Sequence, residues 1–301
     1  MSAKADSLKT ILYALGANFA IGVAKLGAAV TTGSSAMLAE AIHSFADCGN
    51  QALLLVGMKQ AKRAPSPDYP LGYGKAIYFW SFIVALVLFA LGGLFSIYEG
   101  THKFSQPEPL SHPWVAVGVL VFGIAAETVS LRACLIEIAK VRGGKSLWEW
   151  FRVSRQSELV VILGEDIAAE VGLVLALIAV LATIVTGNPL YDALGSIAIG
   201  VVLVIVAVAL AIEIKGLMIG QSAEPETEAA IRRFIEERQE VASVLRLITL
   251  QLGGSLMVAV KARMRDSNTK DMVASINSTE VALRAAFPDI QWLFFEPDVV
   301  E

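Results

Sequence analysis

Long apolar stretches separated by short polar loops occupy most of the chain as far as residue 222. About 20 consecutive apolar residues are enough for a helix to cross the hydrocarbon core of a bilayer. Six stretches reach that length, and we predict a transmembrane helix for each. They cover residues 11–30, 34–56, 77–98, 114–138, 159–186 and 190–215.

The pattern changes after residue 222, where short apolar runs are mixed with polar positions. Pro225 is suited to the first position of a helix. Gly253 and Gly254 form a two-residue hairpin signal between two runs rich in β-forming residues. The predicted elements are a helix from residue 225, strands at 244–252 and 256–265, a helix at 270–286 and a strand at 290–295.

These elements define the expected fold class and its division into domains. We predict a membrane all-α six-helix transmembrane bundle over residues 1–222. A small cytoplasmic α+β domain, with the order α-β-β-α-β of a ferredoxin-like sandwich, is predicted over residues 223–301.

Composition agrees with a membrane protein. Hydrophobic residues make up 55% of the chain and charged residues 17%, against about 25% charged residues in ordinary soluble domains. The net charge is −4 and no basic face is evident, so we expect no nucleic-acid partner. Cys48 and Cys134 both lie in apolar stretches, which argues against a disulfide framework.

The basic residues of the loops predict the orientation of the helices. Cytoplasmic loops carry an excess of Lys and Arg, and here the second-to-third and fourth-to-fifth connections are the basic ones. We therefore expect an integral multi-pass protein of a bacterial inner (plasma) membrane with both termini in the cytoplasm. The basic residues in these two connections are Lys59, Lys62, Arg63, Lys75, Lys140, Arg142, Lys145, Arg152 and Arg155.

Acidic and histidine residues lie inside two of the apolar stretches in helical register. His43 and Asp47 are four residues apart in the second stretch, and Asp166 and Glu170, preceded by Glu165, are four apart in the fifth. Residues with this spacing share one helix face. A charged group at mid-bilayer costs roughly 2.5–3.5 kcal/mol or more, so several of them together indicate an ion path.

Each of these residues also has a structural interpretation. A single buried His43 would be satisfied by a hydrogen bond to a neighbouring helix, and Glu165 near the cytoplasmic half of its helix would snorkel. Four ligand-type groups on two helices are harder to explain in this way. They match the tetrahedral coordination of a divalent cation, which is the interpretation we favour.

Other polar groups in the apolar stretches receive different interpretations. Lys25 in the first stretch and Glu40 in the second are predicted to form a charge pair between neighbouring helices. Asn50 is predicted to make an interhelical hydrogen bond. Glu127 would be either a proton-relay acid or a partner of Arg132, and the sequence does not separate these two roles.

The chain resembles the cation diffusion facilitators, through its six predicted helices, its His-x-x-x-Asp motif, its paired acids and its α-β-β-α-β tail. Residues 32–51, TGSSAMLAEAIHSFADCGNQ, are close to the zinc-transporter-nine branch of that family. Residues 72–75 (GYGK), the pair Glu165 and Asp166, and residues 186–196 (TGNPLYDALGS) share this resemblance.

The resemblance implies one transport site, with two ligands from the second helix and two from the fifth. The matching positions are His43, Asp47, Asp166 and Glu170. Family members more often have His and Asp at the last two positions, whereas the named branch shows a Glu-Asp pair, here Glu165 and Asp166. Whether Glu165 or Glu170 completes the site stays open, although Glu165 points about 100° away from Asp166 on a helix, which favours Glu170.

The resemblance further implies a divalent cation efflux transporter that exchanges metal for protons by alternating access, with zinc as the favoured cargo. One nitrogen and three oxygen ligands also admit manganese, iron or cobalt, and a passive cation channel is the other alternative. An intramembrane metalloenzyme is not expected, because the His-Glu-x-x-His signature is missing. The expected partners are the metal ion, protons, the lipid bilayer and a second copy in a homodimer, with no resident cofactor.

Overall fold

A computed structural model describes the backbone of residues 3–107, 109–266 and 268–300, and their side chains apart from residues 3–14 and 17. Up to residue 219 the secondary structure is helical: the long helices lie where the apolar stretches occur, and a short helix lies between the fourth and fifth stretches. The helical elements are α1 (Ala3–Thr32), α2 (Ser35–Ala61), α3 (Ala76–Val87), a π-helical segment (Leu88–Leu94), α4 (Phe95–Ser105), α5 (Pro113–Val141), the short helix α6 (Leu147–Val153), α7 (Ser157–Thr186) and α8 (Leu190–Ile219).

Four helical segments in the described part of the chain are long and apolar enough to cross a membrane. α1 and α2, with 30 and 27 residues, lie where the first two crossings are predicted but are not among these four. In α2, Glu40, His43 and Asp47 lower the mean hydropathy. The count of six crossings therefore stays a prediction. The four segments are Ala76–Ser105, Pro113–Val141, Ser157–Thr186 and Leu190–Ile219.

The chain forms two compact units, and each combines several segments. The first unit contains the chain up to Val56 together with Trp80–Trp148 and Glu158–Ile214. The second contains Gly57–Phe79, Glu149–Ser157 and the chain from Lys215 onward. The second unit thus includes two connections between long helices together with the adjoining helix ends. The division of the chain into domains at residue 222 stays a prediction.

Small residues let α8 approach the π-helical segment and α4 closely within the first unit. A methyl group added at Gly93 would lie 2.6 Å from Val204 Cγ2, and one added at Gly200 would lie 2.7 Å from the carbonyl oxygen of Gly93. Ser196 Oγ donates a hydrogen bond of 2.8 Å to the carbonyl oxygen of Ser96. The two backbones therefore touch along a stripe that has no room for larger side chains.

The second unit contains a three-stranded sheet covered by two helices. The prediction of the order α-β-β-α-β is confirmed, with β1 antiparallel to β2 and β2 parallel to β3. The spatial order of the strands is β1-β2-β3. The elements are α9 (Pro225–Glu236), β1 (Val241–Leu252), β2 (Ser255–Met264), α10 (Thr269–Ala286) and β3 (Ile290–Pro297).

Alternating residues of β2 form the centre of this unit's core, as the sequence pattern predicts. Val258 and Val260 are buried on the face that packs against the helices, while Lys261 lies on the opposite face. Ile231 from α9 and Leu283 from α10 are fully buried against them. A period of two in the strand and an apolar helix stripe therefore build one core.

The hairpin between β1 and β2 lies against the loop that precedes α3, within the same unit. Gly253 has a φ of +64° and donates its backbone N–H to Tyr78 Oη at 3.0 Å. A methyl group at Gly74 would lie 2.1 Å from the carbonyl oxygen of Leu252. Gly74 and Gly253 are thus required by a close backbone contact, which gives the GYGK sequence a structural role.

Candidate metal centre

His43 and Asp47 form one side of the candidate site on α2. Their spacing of one helical turn brings His43 Nε2 to within 3.5 Å of Asp47 Oδ2. Their side chains are 1% and 10% exposed. Two of the predicted ligands are therefore in contact with each other and buried.

Glu165 on α7 is directed towards α2. Its Oε1 accepts a hydrogen bond of 2.5 Å from Asn50 Nδ2, which confirms the interhelical role predicted for Asn50. Asn50 lies three residues after Asp47 and therefore on the same side of α2. Among the acidic neighbours of Asp47, Glu165 exerts the strongest electrostatic effect on it.

Asp166 and Glu170 make their hydrogen bonds with α5 instead. Ser130 Oγ lies 3.5 Å from Asp166 Oδ1, at the limit of a hydrogen bond. Thr128 Oγ1 lies 2.9 Å from Glu170 Oε1 and 2.7 Å from the carbonyl oxygen of Ile124, and its one hydrogen is shared between these two acceptors. These bonds place the side chains of Asp166 and Glu170, which belong to α7, at the contact between α7 and α5. The hydroxyl groups of α5 have no signal in the sequence, because isolated Ser and Thr are common in apolar helices.

The five predicted ligands do not form a complete coordination sphere in this structure. Within the described ranges, no three side chains of His, Cys, Asp or Glu lie close enough together to hold a metal ion. Only the contact between His43 and Asp47 joins two of the five.

Several ligand-type atoms in this region are buried without a hydrogen-bond partner. Such an atom costs roughly 1–3 kcal/mol when nothing satisfies it. Their concentration on two facing helices fits a site whose groups bind a cation or a proton at some stage of their function. The atoms on the predicted ligands are both ring nitrogens of His43, Asp47 Oδ1, Asp166 Oδ2 and Glu170 Oε2.

A buried ion pair lies one helical turn from His43. Lys25 Nζ is 3.2 Å from Glu40 Oε2, and both side chains are fully buried, which confirms the predicted charge pair. Lys25 Nζ also donates to Ser44 Oγ at 2.8 Å. Glu127 is 5% exposed and lies close enough to Lys25 and Glu170 to interact with their charges.

The N-terminus of α2 is capped by a residue of α8 that the sequence analysis does not identify. Asp192 Oδ2 accepts hydrogen bonds from the backbone N–H of Ser35 at 2.7 Å and from Ser35 Oγ at 2.9 Å. Its Oδ1 accepts a bond of 2.5 Å from Ser34 Oγ. An acidic cap satisfies the free amides and dipole of a helix start, so Asp192 ties the ligand-bearing helix to α8.

The helical region of this chain matches a known family of membrane proteins. Residues 11–216 match the model of the cation efflux transmembrane domain. The chain therefore belongs to the cation efflux family, the cation diffusion facilitators that the sequence resembles. It is similar to the zinc-transporter-nine branch of that family.

Curated relatives cover most of this chain. The Xenopus laevis "Proton-coupled zinc antiporter SLC30A9, mitochondrial" is 35% identical over 222 residues, which are 73% of this chain and 40% of that protein. The Arabidopsis thaliana "Metal tolerance protein C4" is 30% identical over 79% of this chain and 52% of its own. The Magnetospira "Magnetosome protein MamB" is 29% identical over 63% of this chain and 60% of its own.

The matched part of this chain covers between 40% and 60% of the length of those relatives. The relatives whose names state an activity are transporters and not enzymes. This agrees with the sequence-based expectation that the protein is not an enzyme.

Proposed function

We infer that the protein is a divalent metal cation efflux transporter, with zinc as its cargo and protons as the exchanged ion. The observation that carries this proposal is the buried contact of His43 with Asp47, surrounded by ligand atoms that lack hydrogen-bond partners. The family match and the proton-coupled zinc antiporter among the relatives support it.

The proposed transport site consists of His43, Asp47, Asp166 and Glu165. Glu165 is preferred to Glu170 because it already bonds to α2, whereas Glu170 bonds to α5. A metal ion would draw the carboxylates of α7 towards His43 and Asp47, since four donors satisfy its tetrahedral geometry. The incomplete contact set would then be one state of a cycle in which α7 shifts.

Protons and metal compete for the same atoms in this proposal. A neutral imidazole and ionised carboxylates bind the cation, so binding releases protons, and protonation from the opposite side of the membrane expels the metal. Rearrangement of helices around the site would expose it to each side in turn. The donor set, with one nitrogen and three oxygens, also fits manganese, iron or cobalt, which are the alternative cargoes.

We place the proposed transport machinery in residues 1–222 and a cytoplasmic domain in residues 223–301. Both termini would face the cytoplasm, as the basic loops indicate, and the membrane would be a bacterial inner (plasma) membrane. The names of the SLC30A9 relatives place those proteins in mitochondria, so location beyond an integral membrane protein belongs to this proposal.

A homodimer forms the last part of the proposal, with the open face of the sheet as its contact. Ile248 and Phe294 are 45% and 55% exposed at the centre of this face. Arg246 lies beside them on the edge strand β1 and Glu296 on the edge strand β3, while Lys261 on the central strand β2 is paired with Asp298 at 2.7 Å. A two-fold contact would place the acidic edge of one copy against the basic edge of the other.

Exchange of Asp47 for Asn tests the transport site. In proteoliposomes that contain a pH-sensitive dye, the natural protein should take up Zn²⁺ while protons move in the opposite direction. Asp47→Asn should reduce the uptake at least about 100-fold, because loss of a ligand should exceed the 10–100-fold effects of groups around a metal site. Asp68→Asn, at an exposed loop acid, is the matched control.

Zinc flux without proton movement would show a passive channel instead of an antiporter. Unchanged flux in Asp47→Asn would contradict the proposed site altogether.

The choice between the two glutamates is tested by zinc titration calorimetry. Glu165→Gln should weaken zinc binding by about tenfold or more, whereas Glu170→Gln should weaken it less, because only Glu165 is held beside α2. Both variants remove one carboxylate from the same helix and so control for each other. A larger effect of Glu170→Gln would support the assignment based on spacing.

The homodimer is tested by replacing Phe294 with Glu and measuring protein mass by light scattering in detergent. A charge at the centre of the contact should shift the protein from dimer to monomer, because an unpaired charge would be buried there. Val281→Glu, at a position on α10 that is 70% exposed, should leave the dimer intact. Dimers that survive Phe294→Glu would rule out this face.

A further inference from the structure

Lys25 is the buried group whose role the transport proposal leaves unexplained. Its side chain is fully buried on α1. Its Nζ donates to Ser44 Oγ at 2.8 Å and to Glu40 Oε2 at 3.2 Å. Because Ser44 follows His43 directly, the ammonium group of Lys25 lies beside the turn of α2 that carries His43.

The charge of Lys25 reaches the proposed ligands themselves. It acts electrostatically on both His43 and Asp47. Among the charges that act on Asp47 in the described part of the chain, Lys25 is positive, and the others are the carboxylates Glu165, Glu127 and Asp166. The ammonium group of Lys25, bonded to Ser44 next to His43, is thus a positive charge close to a site whose other charged groups are carboxylates.

Two glycines provide the space in which this ion pair is held. A methyl group added at Gly172 of α7 would lie 2.5 Å from Glu40 Oε1, and one added at Gly123 of α5 would lie 3.5 Å from Lys25 Cε. Glu40 Oε1 is buried without a hydrogen-bond partner. The pair is thus enclosed by α1, α2, α5 and α7.

We propose that Lys25 sets the affinity of the transport site by repelling the cation bound there. The inference rests on the proposed function. A site with three carboxylates attracts a divalent ion strongly in a medium of low dielectric constant, and a transporter must also release its cargo. A fixed positive charge beside His43 and Asp47 weakens the bound state and speeds release. Lys25 therefore acts on the bound cation through its charge and is not a ligand.

The competing explanation is that Lys25 only neutralises Glu40. Lys25→Met alone does not separate the two, because it leaves the Glu40 carboxylate buried without its partner. Lys25→Met combined with Glu40→Gln removes both charges at nearly constant volume and keeps the bundle neutral at this position. Lys25→Arg keeps the positive charge. Lys59→Met, in a lysine of the last turn of α2, controls for loss of a positive charge elsewhere.

Zinc titration of the purified full-length protein and uptake by proteoliposomes provide the measurements. The double variant Lys25→Met, Glu40→Gln should bind zinc about tenfold more tightly or more, with a lower KM and a lower maximal uptake rate because release is slower. Lys25→Arg should keep the natural Kd within about twofold, and Lys59→Met should match the natural protein.

A natural Kd and natural uptake in the double variant would overturn the proposal, since Lys25 would then serve Glu40 alone. Weaker binding in the double variant would also overturn it. A failure of the proposed function is distinguishable, because the natural protein itself would then neither bind nor take up zinc.

Discussion

The first compact unit is organised by the cost of burying ionised groups between helices. An unpaired charge at such depth is too expensive to persist, so each one must meet an opposite charge, a hydrogen-bond donor or a cation. Lys25 meets Glu40, Glu165 meets Asn50, and Asp192 meets the start of α2. These contacts join α1, α7 and α8 to the helix that carries His43.

Several of the groups that this network leaves incompletely satisfied belong to the proposed transport site, namely His43, Asp47 and Asp166. His43 and Asp47 contact each other, yet both ring nitrogens of His43 and several carboxylate oxygens in this region are buried without hydrogen-bond partners. A structural network would satisfy such atoms, whereas a transport site must exchange its partners during a cycle. The cost of burying ionised groups therefore accounts both for the contacts that are fixed and for the ligand atoms that lack partners. The same cost underlies the proposed effect of Lys25 on metal affinity.

The apolar stretches were sufficient to predict where the long helices lie, the period of two predicted the alternation of β2, and opposite charges in neighbouring stretches predicted the pairing of Lys25 with Glu40. The short helix α6 was not predicted. The sequence patterns were not sufficient for features that depend on neighbouring helices. The π-helical segment Leu88–Leu94, the Asp192 cap and the direction of Glu165 all depend on which backbone lies opposite. Spacing placed Glu165 and Asp166 on different faces of α7. It could not show which face lies against α2, because that depends on how the helices pack.

X-ray absorption at the zinc edge of the metal-loaded protein tests the central claim most directly. The account predicts about four light-atom neighbours, one nitrogen and three oxygens, at roughly 2.0–2.2 Å, and loss of the nitrogen component in His43→Ala. A sulfur shell near about 2.3 Å, or a spectrum unchanged by His43→Ala and Asp47→Asn, would contradict it, because the metal would then bind outside the helix pair.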